Sequence, residues 1–192
     1  MQIPARPEGW HVVLDNPDNP CPPEILARQV GVVVLHRGFD GRMHKGLIEV
    51  HVAVSQDVHD FFAYALEHNF PIQEVVSASH PDYAWDDGKL MTANATSGFN
   101  YRLIAGSNTV SKHGQGLAFD VSPRLNPYIR YGTDGSMTIA PSGARWDPAR
   151  PGTLSKDHPL VVFMKNRGWD WGGEWPPESG RVDYQHFEKP ER

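Results

Sequence analysis

Cysteine is nearly missing from this chain. Cys21 is the only cysteine among 192 residues, so no disulfide can form within the chain and no cysteine-based zinc site is possible. Any bound metal must therefore be held by histidine, aspartate or glutamate side chains.

Runs of basic residues and long apolar stretches are missing as well. The net charge is −5, and no cluster of lysine or arginine resembles a nucleic-acid-binding surface. No stretch approaches the roughly 18 apolar residues that a membrane-spanning helix needs, and residues 1–7 lack the charged and apolar regions of a signal peptide. We therefore expect no nucleic-acid partner, no membrane span and no export signal in the chain itself.

Glycine and proline, by contrast, are abundant. The chain contains 18 glycines and 17 prolines, and its hydrophobic fraction is 39%, which predicts many turns and long, shaped loops. The length favours one domain with one hydrophobic core, and we find no internal repeat or low-complexity tract. We predict a single domain that spans residues 1–192.

The hydrophobic pattern predicts a mixture of strands and helices. We expect strands at 32–36, 47–54, 73–79, 117–122 and 182–188. We expect helices from Ser55, as the cap, to about Asn69, and from Asp157, as the cap, to Arg167, with Gly168 as the stop. Residues 123–154 are rich in glycine and proline and predict a long loop at the rim of the functional site. The fold class expected is α+β, with a small central antiparallel sheet flanked by helices and long loops.

Two segments contain the residues of a metal site. One runs from Ser111 through His113 to Asp120, and the other from Asp183 through His186 to Glu188. Two imidazoles and one carboxylate can hold one zinc ion, and three protein ligands leave a fourth tetrahedral position for water, as catalytic zinc sites do. The remaining carboxylate, Asp183, can then act as the base that a hydrolytic site needs.

The spacing between Asp183 and His186 determines whether both side chains can face the same metal ion. Asp183 and His186 are three residues apart, so strict strand alternation would point them to opposite faces. A bend or bulge at Tyr184 and Gln185 is therefore required if both face the metal. Beyond the bend, His186 and Glu188 share one face, and Phe187 packs inward.

These residues resemble the zinc D-alanyl-D-alanine carboxypeptidases and L-alanyl-D-glutamate endopeptidases, a family that includes bacterial wall enzymes, vancomycin-resistance D,D-peptidases and phage endolysins. Further similar segments indicate its endopeptidase-like branch: 69–72, 96–102, 126–127 and 168–175. The resemblance covers about 38–188, which leaves 1–37 as an N-terminal extension expected to pack on the domain. Relatives that cleave D-Ala-D-Ala often have glutamate where this chain has Asp183, so the shorter acid favours the endopeptidase-like branch without settling the bond cleaved.

The resemblance implies a role for each residue of the site. His113, Asp120 and His186 would bind one zinc ion, Asp183 would be the general base, and Arg102 would hold a substrate oxygen. Four assignments have structural alternatives. Arg102 is a substrate contact or a surface charge, and Ser111 is a substrate contact or a helix cap. Glu188 is the partner of a ligand imidazole or a solvated acid, and Trp171 and Trp175 are substrate contacts or core residues.

The function that follows is hydrolysis of amide bonds in peptidoglycan stem peptides by a monomeric zinc peptidase. Such an enzyme would act at the cell wall, in the periplasm or outside the cell. Two alternatives stay open. One is a non-catalytic binding module that retains the zinc site, and the other is a metal-dependent hydrolase of amides that do not come from the wall.

Overall fold

A computed structural model describes residues 13–190. The first twelve residues of the expected N-terminal extension lie outside this range. The helices are α1 to α5, at Pro23–Leu26, Ser55–Glu67, Asp87–Thr92, Lys112–Gln115 and Pro159–Asn166. The strands are β1 to β10, at Gln29–Arg37, Met43–His51, Glu74–Val75, Ala95–Thr96, Ala118–Asp120, Tyr128–Tyr131, Met137–Ala140, Asp170–Trp171, Arg181–Asp183 and His186–Glu188. The predicted mixture of helices and small sheets is confirmed.

The longest sheet element is the antiparallel hairpin of β1 and β2. Alternate β1 side chains, Val30, Val32 and Val34, are buried and join Ile48 and Val50 of β2 in the main core. β-branched side chains favour such a half-buried pleated surface. The strand from residue 29 to 37 lies within the predicted extension, so part of that segment contributes core residues.

Helix α2 packs against this hairpin through Val58, Phe61, Phe62 and Ala65, which are buried at helical spacing. The helix confirms the predicted element, but Ser55 does not cap it: its hydroxyl donates to the Val52 carbonyl at 2.7 Å. The reason is that 52–54 forms a 3₁₀ turn rather than the end of β2, so the chain enters the helix already coiled.

Helix α5 also begins differently from the prediction. His158 caps it, because its Nδ1 accepts a hydrogen bond from the Leu160 amide at 3.2 Å, whereas Asp157 was expected in this role. Pro159 occupies the first helical position, where proline needs no intrahelical donor. Gly168 follows the helix with φ of 75°, which confirms the predicted stop.

The strands divide into four small sheets: β1–β2, β3–β4, β5–β10–β8 and β7–β6–β9. The second of these is a parallel pair, and the other three are antiparallel. In β5–β10–β8, Phe119 and Phe187 pack into the main core together with Trp171. The opposite side of β5 and β10 carries Asp120 and His186.

The predicted last strand is split in two. β9 ends at Asp183 in one sheet, and β10 begins at His186 in another, with Tyr184 and Gln185 between them. The expected bend at these two residues is confirmed.

Residues 123–154 are not entirely loop, because they contain the β6–β7 hairpin. This hairpin pairs with β9, so Tyr128 lies directly opposite Asp183.

Candidate metal centre and its surroundings

His113 lies on the one-turn helix α4, which precedes β5. Ser111 caps this turn by accepting a hydrogen bond from the Gly114 amide at 3.0 Å. Gly116 ends it with φ of 71°, and a Cβ there would lie 1.9 Å from Oε1 of Gln29. The turn is thus fixed at both ends, which orients the imidazole toward β5 and β10.

Asp120 and His186 come from neighbouring strands of one sheet. The two residues are direct partners in the antiparallel pairing of β5 and β10. Residues directly opposite each other in an antiparallel pair project on the same face with their Cβ atoms about 5 Å apart. Strand register therefore brings together two side chains that are 66 positions apart in the sequence.

Three ligand atoms converge at this point. Oδ1 of Asp120 lies 3.2 Å from Nε2 of His113 and 3.1 Å from Nδ1 of His186. The two imidazole nitrogens are 3.2 Å apart. Atoms that share one zinc ion at about 2.0–2.1 Å and at the tetrahedral angle lie roughly 3.3 Å apart, so the donor set fits a zinc ion. All three residues are buried, and together they form a group that can hold a metal.

The outward nitrogen of each imidazole also has a partner. Nδ1 of His113 lies 2.8 Å from the Gly98 carbonyl, and Nε2 of His186 lies 3.0 Å from Oε2 of Glu188. Each of these oxygens can accept a hydrogen bond from the ring N–H on its side, and the tautomer with that N–H has a lone pair on the inward nitrogen for a metal. Glu188 therefore contacts the His186 imidazole, and its role as the partner of a metal ligand stays a prediction.

Gly98 was not recognised from the sequence as part of the site. Its carbonyl receives the His113 hydrogen bond, and a Cβ at this position would lie 2.3 Å from the Glu49 carbonyl oxygen. Such a contact is too short for any side chain, so only glycine lets this backbone approach β2 while its carbonyl faces His113.

The pKa shifts within the cluster are those expected for a carboxylate in close contact with imidazoles. Burial alone would raise the pKa of Asp120, but the charge and hydrogen bonds of His113, together with the His186 hydrogen bond, hold it well below its usual range. Burial lowers the pKa of His186, but its hydrogen bonds to Asp120 and Glu188 outweigh that effect and raise it to about 10. In the absence of metal, a proton on His186 compensates the buried acid.

Asp183 lies beside the cluster but is not part of it. It is 9% exposed, and its Oδ1 is buried without a hydrogen-bond partner among residues 13–190. Burial, and then the nearby Asp120 carboxylate, raise the pKa of Asp183 to about 7. Buried carboxylate oxygens usually have partners, so this unpartnered oxygen marks a group that is available to another molecule.

Arg102 is connected to the helix that carries His113. Its backbone carbonyl accepts from the Ser111 amide at 3.0 Å, which ties it to the start of α4. Its half-buried guanidinium is paired with Asp87, with Nη2 3.1 Å from Oδ1. No sequence motif marks Asp87, because only the fold brings the start of α3 beside Arg102.

The two tryptophans predicted as substrate contacts occupy different environments. Trp171 is 3% exposed and belongs to the main core, where its Nε1 donates to the Tyr184 carbonyl at 2.9 Å. Trp175 is half-buried, and its ring centroid lies 5.5 Å from that of His186. Trp175 borders the candidate metal cluster and Trp171 lies in the core, and a substrate contact stays a prediction for both residues. Ser111 remains a predicted contact as well, with its cap role established by the geometry.

The fold and the cluster define an α+β protein with a buried His–Asp–His group suited to a single metal ion. Residues 105–189 match the family model described as D-alanyl-D-alanine carboxypeptidase. This match covers the part of the chain that carries the cluster, and it confirms the resemblance drawn from the sequence. The match includes His113, Asp120, Asp183 and His186, whereas Arg102 lies just before it. No curated protein and no solved structure gives a significant match. Among the described residues, no helix is long and apolar enough to span a membrane.

Proposed function

We propose that this protein is a zinc-dependent peptidase that hydrolyses amide bonds in peptidoglycan stem peptides. The observation that carries the proposal is that the buried Asp183 carboxylate, whose Oδ1 has no hydrogen-bond partner among residues 13–190, lies beside the His113, Asp120 and His186 cluster. The family match supports a wall peptidase at the family level. The bond would be the L-alanyl-D-glutamate or the D-alanyl-D-alanine linkage.

The zinc ion would be held by Nε2 of His113, Oδ1 of Asp120 and Nδ1 of His186. A zinc ion bound there supplies Lewis-acid chemistry and lowers the pKa of its water to roughly 7. The protein residues keep the site ordered: Gly98 and Glu188 hold the two imidazoles in the required tautomers. We also propose that the whole chain acts as one monomeric peptidase domain at the cell wall.

Asp183 would move the proton in this reaction. A general base works best when its pKa is close to the working pH, and burial shifts the pKa of Asp183 upward from its ordinary value, toward that range. Its carboxylate would take a proton from the attacking water and then deliver it to the departing amine. Oδ1 of Asp183 has no hydrogen-bond partner among residues 13–190, which supports this role because that oxygen is available to a water molecule.

Purified protein loaded with one equivalent of zinc is expected to release free amino groups from bacterial peptidoglycan. A chelator should abolish the release, added zinc should restore it, and mass spectrometry of the fragments would identify the bond. Zinc binding without hydrolysis of any wall peptide would instead indicate a non-catalytic module. Activity on small D-amino-acid peptides but not on intact wall would indicate a hydrolase with another substrate.

Replacing Arg102 with methionine is expected to lower kcat on the order of a hundredfold, because an arginine aimed at the scissile carbonyl stabilises the charge that develops in the transition state. Zinc stoichiometry should not change, since Arg102 is not a ligand. Arg42→Met provides the matched control, because Arg42 is exposed in the turn between β1 and β2. Equal kcat values for the Arg102 variant and the wild type would remove Arg102 from the mechanism.

A further inference from the structure

The sheet formed by β7, β6 and β9 carries two arginines that face each other. Arg130 of β6 and Arg181 of β9 are direct partners in the antiparallel register, as are Tyr128 and Asp183 two positions along. Side chains two residues apart on a strand share a face. The arginine pair, Arg130 and Arg181, therefore lies on the same sheet face as Asp183.

This arrangement leaves positive charge uncompensated. Like charges directly opposite each other on a sheet are destabilising, and both arginines are exposed. Neither has a carboxylate partner among residues 13–190. Arg102, by comparison, has Asp87 as an ion-pair partner. A pair of unmatched guanidinium groups beside a buried acid indicates a place where an anion binds.

Trp175 links the arginine pair to the metal cluster. The guanidinium carbon of Arg181 lies 4.7 Å from the centroid of the Trp175 ring, and that ring is 5.5 Å from the ring of His186. Stacking on an aromatic face orients a guanidinium but leaves its N–H edge free to hold a carboxylate through two parallel hydrogen bonds. The anion would thus be bound close to the cluster.

The strand geometry indicates which anion this is. Two residues along a strand span about 7 Å, which is the separation between the backbone positions of Asp183 and Arg181. If Asp183 protonates the departing amine, a carboxylate on the same carbon as that amine lies within reach of the Arg181 side chain. Both candidate bonds of the stem peptide have such a group: the α-carboxylate of D-glutamate, or the terminal carboxylate of D-alanine.

We propose that Arg181 and Arg130, with Trp175 as a support, form the subsite for the α-carboxylate of the amino acid whose amine departs. This inference rests on the proposed function, because it takes its substrate from it. The arginine pair determines specificity and takes no part in bond breaking. It makes the protein favour peptides in which this carboxylate is free over those in which it is amidated.

The test uses calorimetry on the full zinc-loaded chain with the Asp183→Asn substitution, which prevents turnover. The probes are L-Ala-γ-D-Glu-L-Lys and its D-glutamate α-amide, and Lys-D-Ala-D-Ala and its C-terminal amide. We expect the acid of one pair to bind on the order of 10- to 100-fold more tightly than its amide, as expected for hydrogen bonds to a charged group. The pair that shows the preference identifies the source of the carboxylate.

In the Asp183→Asn protein, a further Arg181→Gln substitution should reduce the ratio of acid affinity to amide affinity to about one. Arg130→Gln should reduce this ratio less, because of the two arginines only Arg181 is stacked on Trp175. Arg42→Gln serves as the control and should leave the ratio unchanged, and thermal unfolding verifies that each variant is folded. The inference is overturned if a folded Arg181→Gln variant keeps the preference, if acid and amide bind equally, or if no probe binds. An Arg181-dependent preference in a protein whose wild type hydrolyses neither peptide would uphold the subsite and refute the proposed function.

Discussion

Replacing Asp183 with asparagine is expected to lower kcat by about 10²- to 10⁴-fold, the usual contribution of a positioned general base, while one zinc ion stays bound. The amide has nearly the shape of the carboxylate but cannot accept the proton of the attacking water. Asp183 lies outside the group of three ligand residues, so zinc content measured by mass spectrometry should match that of the wild type. Asp134→Asn, in the exposed turn between β6 and β7, is the matched control. An Asp183→Asn protein with wild-type kcat would exclude Asp183 as the base.

The same variant gives a second readout in the metal-free protein. Burial raises the pKa of Asp183 from 3.8 to about 7, so the folded state keeps its proton at pH values where the unfolded chain has lost it. Stability contributed by this group therefore falls as pH rises from about 4 to 7, by on the order of 4 kcal/mol at 1.36 kcal/mol per pKa unit. Asparagine does not titrate. After chelation, the variant and the wild type should unfold at similar urea concentrations near pH 4, and the variant should be the more stable at pH 8.

The parts of the fold that depend on local pattern were predictable. The alternating valines of β1, the helical spacing of Val58, Phe61 and Ala65 in α2, and Gly168 after α5 each act through neighbouring residues. The bend at Tyr184 and Gln185 was predictable for a different reason: strand alternation would otherwise place Asp183 and His186 on opposite faces. The errors at Ser55 and Asp157 are one-residue errors in capping, where several polar residues compete for the same amides.

The parts of the site that depend on register were not predictable from local pattern. His186 lies opposite Asp120, and Arg130 lies opposite Arg181, only because particular short strands pair in a particular alignment. For the metal ligands, the family resemblance supplied what spacing alone could not. No motif marked Asp87, Gly98 or the arginine pair, since their roles arise from contacts between segments that are distant along the chain.

Replacing His186 with alanine is expected to have the largest effect, because it removes both a ligand and the group that balances the buried Asp120. Two remaining ligands do not make a structured zinc site, so zinc stoichiometry should fall from one to nearly zero at equimolar metal, and hydrolysis should cease. The Glu188→Gln substitution tests separately whether the hydrogen bond to His186 strengthens zinc binding. It keeps the ligand but weakens the hydrogen bond to Nε2 of His186, and such changes typically cost 10- to 100-fold in metal affinity. His59→Ala, at an exposed position on α2, should match the wild type in both measurements. If His186→Ala retained one tightly bound zinc ion, the metal would have to be held elsewhere. Asp183 could then no longer be proposed as the general base, because that role depends on its position beside the cluster.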